Sequence, residues 1–297
     1  MALGTALACN ALTGVGDLEA VDCADGCDGA APTRTGGPDA AAPVDATSPV
    51  DATPVADSAS PVDSGGDASK RPAFCAGVTL YLPFDGSLST KAGQAPDTPP
   101  AISFVPGKFG QAADLTAGGG TAVYYAASHL GTPSYSLVNG TLAMWVKPTF
   151  VPPTGQAALF FKPRTVRAAA TQNAGPVLGI ETLLGLTVDA PDGGLTQVGY
   201  PQAALPSWNA LGWNHLVGTW SSSSPTLRFA LNGAAPIGTP NPWVPNESPV
   251  NFLRVGSEVS APRSLFDEVT LWTRVLPAGE IAALAASPVS VGVACGL

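Results

Sequence analysis

Charged residues are scarce in this sequence, and basic residues are the scarcest of them. Lys and Arg together number 13 among 297 residues, against 22 Asp and Glu. Eleven of the acidic residues lie ahead of residue 70, so the rest of the chain is close to neutral. Nucleic acid binding requires clustered Lys and Arg to displace counterions from phosphates, and no such cluster occurs. The composition therefore excludes nucleic acid as a partner.

Cysteine is absent from residues 76–294, and the five cysteines lie near the two ends of the chain: Cys9, Cys23, Cys27, Cys75 and Cys295. A bond between Cys75 and Cys295 would join the ends of the region between them. Cys23 and Cys27 are close enough for a small local disulfide loop. A metal site at Cys23 and Cys27 is the alternative, although no His or further Cys lies nearby to complete four ligands.

Cys9 follows a short apolar run, Ala6, Leu7 and Ala8, that resembles the lipobox of bacterial lipoproteins. In that family the cysteine is acylated and becomes the mature N-terminus. Ala6 stands where the pattern prefers Leu, and no basic n-region or full apolar h-region precedes it, as if the start codon lay inside a longer signal peptide. The resemblance implies a lipid anchor at Cys9 as the membrane contact, and Asn10 favours the outer membrane or cell surface. An ordinary N-terminus with an incidental cysteine is the alternative.

Residues 30–69 contain no aromatic and no large aliphatic side chain, and Pro-Val-Asp recurs irregularly among them. Such a segment cannot bury enough apolar surface to offset the entropy of ordering its backbone. Proline and charge repulsion should keep it extended. We interpret residues 30–74 as a disordered spacer, since an acidic recognition tail would need anchor residues that are missing.

The sequence after Cys75 alternates apolar and polar residues over short runs separated by Gly and Pro, which is typical of antiparallel strands. Residues 213–220 and 226–232 predict a hairpin, because Leu227, Phe229 and Leu231 share one face. Bulky side chains on both faces of the first strand indicate a central strand covered by a second layer. Further strands are predicted at 77–84, 121–125, 142–148, 157–162, 195–200 and 289–293. One short helix is predicted at 277–286.

Seven fragments after Cys75 resemble, in order, those of laminin-G-like domains in the concanavalin A-like superfamily. The most specific is Asp267-Glu268-Val269 with the Arg-x-Leu turn and the Glu-Ile helix that follow. The resemblance implies an all-β jelly roll of two antiparallel sheets with one short C-terminal helix, used mostly for binding glycans or proteins. The fragments are YLPFDGS (81–87), GKFGQAADL (107–115), GTLAMWVKP (140–148), WNHLVGTW (213–220), LRFALNG (227–233), VGS (255–257) and LFDEVTLWTRVLPAGEIAAL (265–284).

No catalytic site is predicted. Members of the superfamily that cleave glycans carry a Glu-x-Asp-x-Glu strand, because a retaining mechanism needs two carboxyl groups about 5 Å apart. That strand is missing here, and neighbours such as Asp267 and Glu268 should point to opposite faces. We expect Asp267 to be a buried structural acceptor and Glu268 to face solvent. No nucleophile signature accompanies His129 or His215, and His215 is expected in the core.

Cofactor and ligand sites are only weakly indicated. No cofactor is predicted, although calcium at the sandwich rim is a minor alternative, because Asp85, Asp114, Asp189 and Asp192 lie near predicted strand ends. Four of the six Trp residues fall in strands and should be mostly core. Trp208 and Trp243 lie in loops, and an exposed ring can stack on a sugar, so these two are the ligand candidates.

The sequence thus predicts three regions: a truncated signal and lipobox region with a small cysteine loop (1–29), a disordered linker (30–74) and a laminin-G-like β-sandwich (75–297). The function expected is non-catalytic binding of a carbohydrate or a surface protein outside the cytoplasm, by a lipid-anchored or secreted protein. A polysaccharide-acting enzyme with an unrecognised site and a structural envelope lipoprotein are the alternatives.

Overall fold

A computed structural model describes residues 71–297 except for 98–99, 117–120, 131–134, 152–157, 168–169, 174–175, 181–182, 190–194, 225, 240–249 and 257–263. Strands make up most of this region and belong to two antiparallel sheets, as predicted. The predictions for Cys9, Cys23, Cys27 and nearly all of the linker concern residues outside the described part. Of the described residues, none forms a helix with the length and apolarity needed to cross a bilayer.

Sheet A has eight strands, in the order β13-β12-β11-β5-β15-β3-β2, with β1 also paired to β15. The predicted hairpin is present as β11 and β12, and Trp220 pairs with Leu227. Strand β15 pairs with β5 on one side. On its other side, β3 pairs with the first part of β15 and β1 pairs with the last part. The strands are β1 (Val78–Leu82), β2 (Ser103–Pro106), β3 (Gln111–Asp114), β5 (Asn139–Pro148), β11 (Asn214–Ser221), β12 (Thr226–Leu231), β13 (Ile237–Thr239) and β15 (Ser264–Trp272).

Sheet B has seven strands, in the order β10-β9-β8-β6-β14-β4, with β7 also paired to β6. Its strands are β4 (Ala122–Ala126), β6 (Ala158–Arg167), β7 (Ala170–Asn173), β8 (Val177–Ile180), β9 (Leu183–Asp189), β10 (Leu195–Pro201) and β14 (Phe252–Gly256). The inner faces of the two sheets enclose the main core, to which Met144, Trp220, Phe229, Tyr125 and Leu253 contribute. This is the sandwich that the alternating pattern predicts.

A second apolar cluster covers the outer face of sheet A. Helix α1 (Ala278–Ala285) places Ile281 and Leu284 against this face, and Trp272 of β15 lies in the same cluster. The predicted helix at 277–286 is therefore confirmed. The predicted strand at 289–293 is wrong, because a second helix, α2 (Val291–Cys295), occupies that position.

Helix α2 is fixed at both ends. The Ser290 side chain accepts a hydrogen bond from Val293 N and so caps its start. At its other end Cys295 forms a disulfide with Cys75, the pairing expected from the sequence. The disulfide joins the segment before β1 to the last helix, so both ends of the described chain meet on the outer side of sheet A.

Candidate functional site

A cluster of titratable groups with shifted pKa values lies on the outer face of sheet A, beside the two helices. The ladder between β15 and β5 shifts register between Asp267 and Thr270, which marks a β-bulge. Glu268 occupies the bulge with φ of 56°, a left-handed conformation that is uncommon for a residue with a side chain. Because of the bulge, Asp267, Glu268 and Thr270 all lie on the side of the sheet that carries Trp145 and Ala143.

Asp267 is fully buried and holds the turn between β2 and β3. Its Oδ2 accepts hydrogen bonds from the backbone N–H of Lys108 at 2.8 Å and of Phe109 at 3.0 Å. Its Oδ1 is buried with no hydrogen-bond partner among the described residues. Burial raises the pKa of Asp267 to about 8, helped by the nearby charge of Glu268, although the two backbone hydrogen bonds oppose the shift. The prediction of a buried structural acceptor is confirmed.

Glu268 is buried as well, so the prediction that it faces solvent is wrong. Tyr81 Oη donates a hydrogen bond to Oε1 at 2.6 Å, and Val291 N, at the start of α2, donates one to Oε2 at 2.8 Å. Burial raises the pKa of Glu268 to about 7, against the effect of both hydrogen bonds. Period-two alternation puts neighbours on opposite faces only where the ladder is regular, and the bulge breaks that rule here.

His215 and Trp145 lie next to this carboxylate pair. Their rings are 4.8 Å apart, and Lys108 Nζ lies 4.4 Å from the centre of the Trp145 ring. His215 is buried as predicted, and its Nδ1 has no hydrogen-bond partner in the described part of the chain. Burial, with a contribution from the charge of Lys108, lowers the pKa of His215 to about 3, so its ring is neutral at physiological pH.

The space among these side chains is a cavity of about 10 Å³ between the β2–β3 turn and α2, with Trp145, His215 and Glu268 in its wall. That volume holds about one water molecule. A sugar ring therefore cannot reach the two carboxylates while the turn and α2 are in place. The constellation has the residue types of a catalytic site, but in this arrangement it links the turn, the sheet and the last helix.

The outer face of sheet B carries a different arrangement, a row of side chains that crosses six strands. The ladder pairs Tyr124 with Arg254, Arg254 with Lys162, and Thr187 with both Val177 and Gln197. Phe161 pairs with Leu178, so Lys162 lies beside Val177 on the next strand. The row is therefore continuous from β4 to β10. With strands about 4.8 Å apart, five spacings give a length of about 24 Å.

Within this row the exposure of the side chains varies. Tyr124, Lys162, Thr187 and Gln197 are half-buried, whereas Val177 and Arg254 are buried. Beside Thr187 and Gln197, Gly185 faces Gly199 across the ladder, and a Cβ on either would lie within 2.2 Å of a carbonyl oxygen of the other strand. The row is thus bordered by two glycines that have no room for a side chain.

A loop lies along the β4 edge of sheet B. The backbone N–H of Asp97 donates to the carbonyl of Tyr124 at 2.9 Å, which holds this loop against β4. Gln94, Ala95, Pro96 and Asp97 line a shallow depression there that is open to solvent.

Among the residues that the structure describes, the aromatic and metal candidates from the sequence do not come together. Trp208 is half-buried against the main core, and its Nε1 is buried without a hydrogen-bond partner among the described residues. Trp243 lies outside the described residues, as does Asp192. Asp85 accepts a backbone hydrogen bond from Gln111, and Asp114 accepts one from Thr116. Where the structure describes the chain, no group of three or more metal-ligating side chains occurs.

Sequence reasoning missed Tyr124, Lys162 and Gln197. The strands that carry them were predicted, but the alternation that identifies an outward-facing residue does not identify its neighbours on the next strand. Connecting segments of different length separate the six strands along the chain. Only the pairing register of the sheet therefore places these residues in one row.

Comparison with known proteins agrees with this architecture. A sequence profile described as the concanavalin A-like lectin/glucanases superfamily matches residues 118–282, more than half of the chain. The chain belongs to the concanavalin A-like lectin/glucanase superfamily. No curated protein matches the sequence.

Solved structures share the superfamily sandwich at low identity. The receptor binding domain of botulinum neurotoxin type G is 10% identical with a TM-score of 0.52, covering 70% of this chain and 51% of that chain. The binding domain of Paraclostridial mosquitocidal protein 1 is 12% identical with a TM-score of 0.54, covering 71% and 52%.

The botulinum neurotoxin serotype D ligand binding domain, in complex with N-acetylneuraminic acid, is 11% identical with a TM-score of 0.53, covering 70% and 50%. The chain spans about half the length of these structures. At such identities the likeness concerns the fold alone.

Proposed function

We propose that the sandwich is a non-catalytic binding module for carbohydrate and that it binds along the outer face of sheet B. The observation that carries the proposal is the difference between the two outer faces. Helices α1 and α2 and the β2–β3 turn cover much of the outer face of sheet A. On sheet B, a row of side chains from Tyr124 to Gln197 crosses six strands.

The chemistry of this row suits a sugar chain. Thr187 and Gln197 lie on adjacent strands and Lys162 lies two strands from Thr187, so three side chains with hydrogen-bonding groups are spread along the row, and Tyr124 adds an aromatic ring with a hydroxyl. A row about 24 Å long fits an oligosaccharide better than a single ring. The three solved structures named above are described as binding domains, one of them with a bound sugar acid, which supports the same kind of ligand.

The absence of catalysis is part of the proposal. In the described part of the chain, the two adjacent carboxylates Asp267 and Glu268 are buried and hold backbone N–H groups. The adjoining cavity of about 10 Å³ admits no substrate. A polysaccharide-acting enzyme remains the alternative, and release of new reducing ends that Glu268→Gln abolishes would favour it.

A glycan array probed with the full chain, followed by calorimetry on the glycans that bind, tests the proposal. We expect Lys162→Gln and Tyr124→Ala each to weaken binding by about tenfold, since a hydrogen bond to a charged group or a stacked ring contributes about 1–3 kcal/mol. Arg228→Gln is the matched control, because Arg228 is an exposed cation on β12 of sheet A and its loss should leave the affinity unchanged.

The outcome separates the alternatives. Equal loss of affinity in the Lys162 and Arg228 variants would indicate an effect of net charge and would contradict a site on sheet B. Binding to surface proteins but to no glycan would favour a protein partner. Binding to neither would favour a structural envelope component.

We also propose that the protein is a bacterial lipoprotein, anchored through Cys9 and carried on the spacer 30–74. The support is the apolar run before Cys9 and the composition of the spacer. Mass spectrometry of the native protein tests this, and an unmodified Cys9 would contradict it.

A further inference from the structure

Two adjacent carboxylates on β15 hold two separate segments of the chain. Asp267 binds the backbone of Lys108 and Phe109 in the β2–β3 turn, and Glu268 binds Val291 N at the start of α2. Phe109 of the turn and Val291 of α2 both line the cavity, together with Trp145 and His215. Both segments are thus attached to one pair of neighbouring acids.

The surroundings of this pair disfavour two negative charges. Tyr81 of β1 and His215 of β11 face the pair as neutral groups, and Asp85, after β1, raises the pKa of both carboxyl groups. Lys108, in the turn, is exposed and lies over the Trp145 ring. Helix α1 contributes Glu280, which pairs with Arg274, and Cys295 of α2 is in the disulfide. Among the described residues, no cation therefore acts to lower the pKa of Asp267 or Glu268.

We propose that Asp267 and Glu268 form a proton-operated latch, which keeps the β2–β3 turn and α2 against sheet A while a proton is bound and loosens them once both carboxyl groups are ionised. Loosening admits water to the carboxylates and opens the cavity beside Trp145 and His215. The disulfide at Cys295 keeps α2 tethered, so the movement is local.

The direction of the pH dependence follows from linkage. Burial raises the pKa of Asp267 from 3.8 to about 8 and that of Glu268 from 4.5 to about 7, so the folded state holds these protons more tightly than the unfolded chain does. The stabilisation is complete below about pH 4 and is lost progressively as the pH rises through the folded values. Both groups are charged only above about pH 8, and the latch is expected to be open there.

Amide hydrogen exchange of the full, oxidised chain tests the proposal. The amides of Lys108, Phe109 and Val291 are followed by NMR at pH 5.5 and pH 9, with the rates corrected for intrinsic exchange. We expect protection to fall at least tenfold at pH 9 in the wild type and to change little in Glu268→Gln, whose amide cannot ionise. Equal wild-type protection at both pH values would overturn the latch.

Tyr81→Phe provides a second and milder variant, which carries the test if Glu268→Gln does not fold. Removing the Tyr81 hydroxyl removes a donor that favours the ionised carboxylate, so the pKa of Glu268 should rise and loosening should begin at higher pH. A shift to lower pH would contradict the mechanism. Asp114→Asn is the matched control, since this acid lies on β3 outside the pair and should leave the pH profile unchanged.

Discussion

At the scale of single residues, the folded structure relies on buried acceptors more than on exposed ion pairs. Asp267 is the clearest case, because one oxygen accepts two backbone hydrogen bonds from a turn that is far away in sequence. A buried N–H left without an acceptor costs about 1–3 kcal/mol. Such a residue determines the position of a whole segment.

We expect Asp267→Ala to lower the free energy of unfolding by about 2–4 kcal/mol, because it leaves the N–H groups of Lys108 and Phe109 without acceptors. Asp267→Asn keeps an acceptor oxygen and nearly the same volume, so a loss of about 1 kcal/mol is expected. Guanidinium denaturation at pH 6 measures both, since Asp267, with a pKa of about 8, is largely protonated there. Equal losses for the two variants would show that the acceptor oxygen of Asp267 is not what stabilises the β2–β3 turn.

The same residues show what the sequence can and cannot predict at this scale. The burial of Asp267 and His215 was predicted correctly, since carboxylates and imidazoles inside a strand pattern usually serve backbone groups. The burial of Glu268 was not, because its position depends on a bulge and a positive φ that leave no mark in the alternation. The sequence alone therefore could not place both acids on one face.

At the scale of elements, α2 shows tertiary contacts overriding a local pattern. The residues Val289-Ser290-Val291-Gly292-Val293 alternate as a strand would, and β-branched side chains favour that state. The Ser290 cap, the Glu268 carboxylate and the disulfide at Cys295 act together on this segment and stabilise a helix. Only the Ser290 cap lies within this window of five residues, and the contacts with Glu268 and Cys75 come from outside it.

Glycines in the two helices allow a matched test of how closely α2 packs. A Cβ at Gly292 would lie 2.7 Å from the Tyr81 ring, which Glu268 holds in place, whereas a Cβ at Gly279 of α1 meets nothing within 4 Å. We expect Gly292→Ala to destabilise the protein by about 1–3 kcal/mol through overpacking. Gly279→Ala should stabilise it by about 0.5–1 kcal/mol through helix propensity.

Thermal unfolding followed by circular dichroism measures both glycine variants against the wild type. Opposite shifts of the melting temperature are expected. If Gly292→Ala melted at or above the wild-type temperature, the close packing of α2 on Tyr81 would be refuted.

At the scale of the whole molecule, the resemblance of seven fragments to one superfamily predicted the two-sheet architecture correctly. The proposed binding surface was not predictable in the same way. Tyr124, Lys162 and Gln197 belong to β4, β6 and β10, and they become neighbours along one row only through a strand order that does not follow the chain. Local periodicity predicts which residues of each strand face outward. Only the order of the strands in the sheet shows which of those residues lie side by side.

The disulfide between Cys75 and Cys295 acts on the whole sandwich, because it closes a loop with a sequence separation of 220. In the chain-entropy model a loop of that length stabilises the folded state by about 5 kcal/mol, by restricting the unfolded chain. The double variant Cys75→Ser/Cys295→Ser should therefore unfold at a lower guanidinium concentration. Its m-value should rise, because the unfolded chain without the cross-link exposes more surface.

The matched control for this prediction is Cys23→Ser/Cys27→Ser, which removes two cysteines ahead of the sandwich and should leave its transition unchanged. Reduction of the native protein would break every disulfide at once. The two double variants instead test the bond between Cys75 and Cys295 separately from any bond between Cys23 and Cys27. If the Cys75/Cys295 variant unfolded at the wild-type midpoint, restriction of the unfolded chain could not be a major source of stability. Capping of α2 by Ser290 and Glu268 would then have to hold the C-terminus against sheet A without the cross-link.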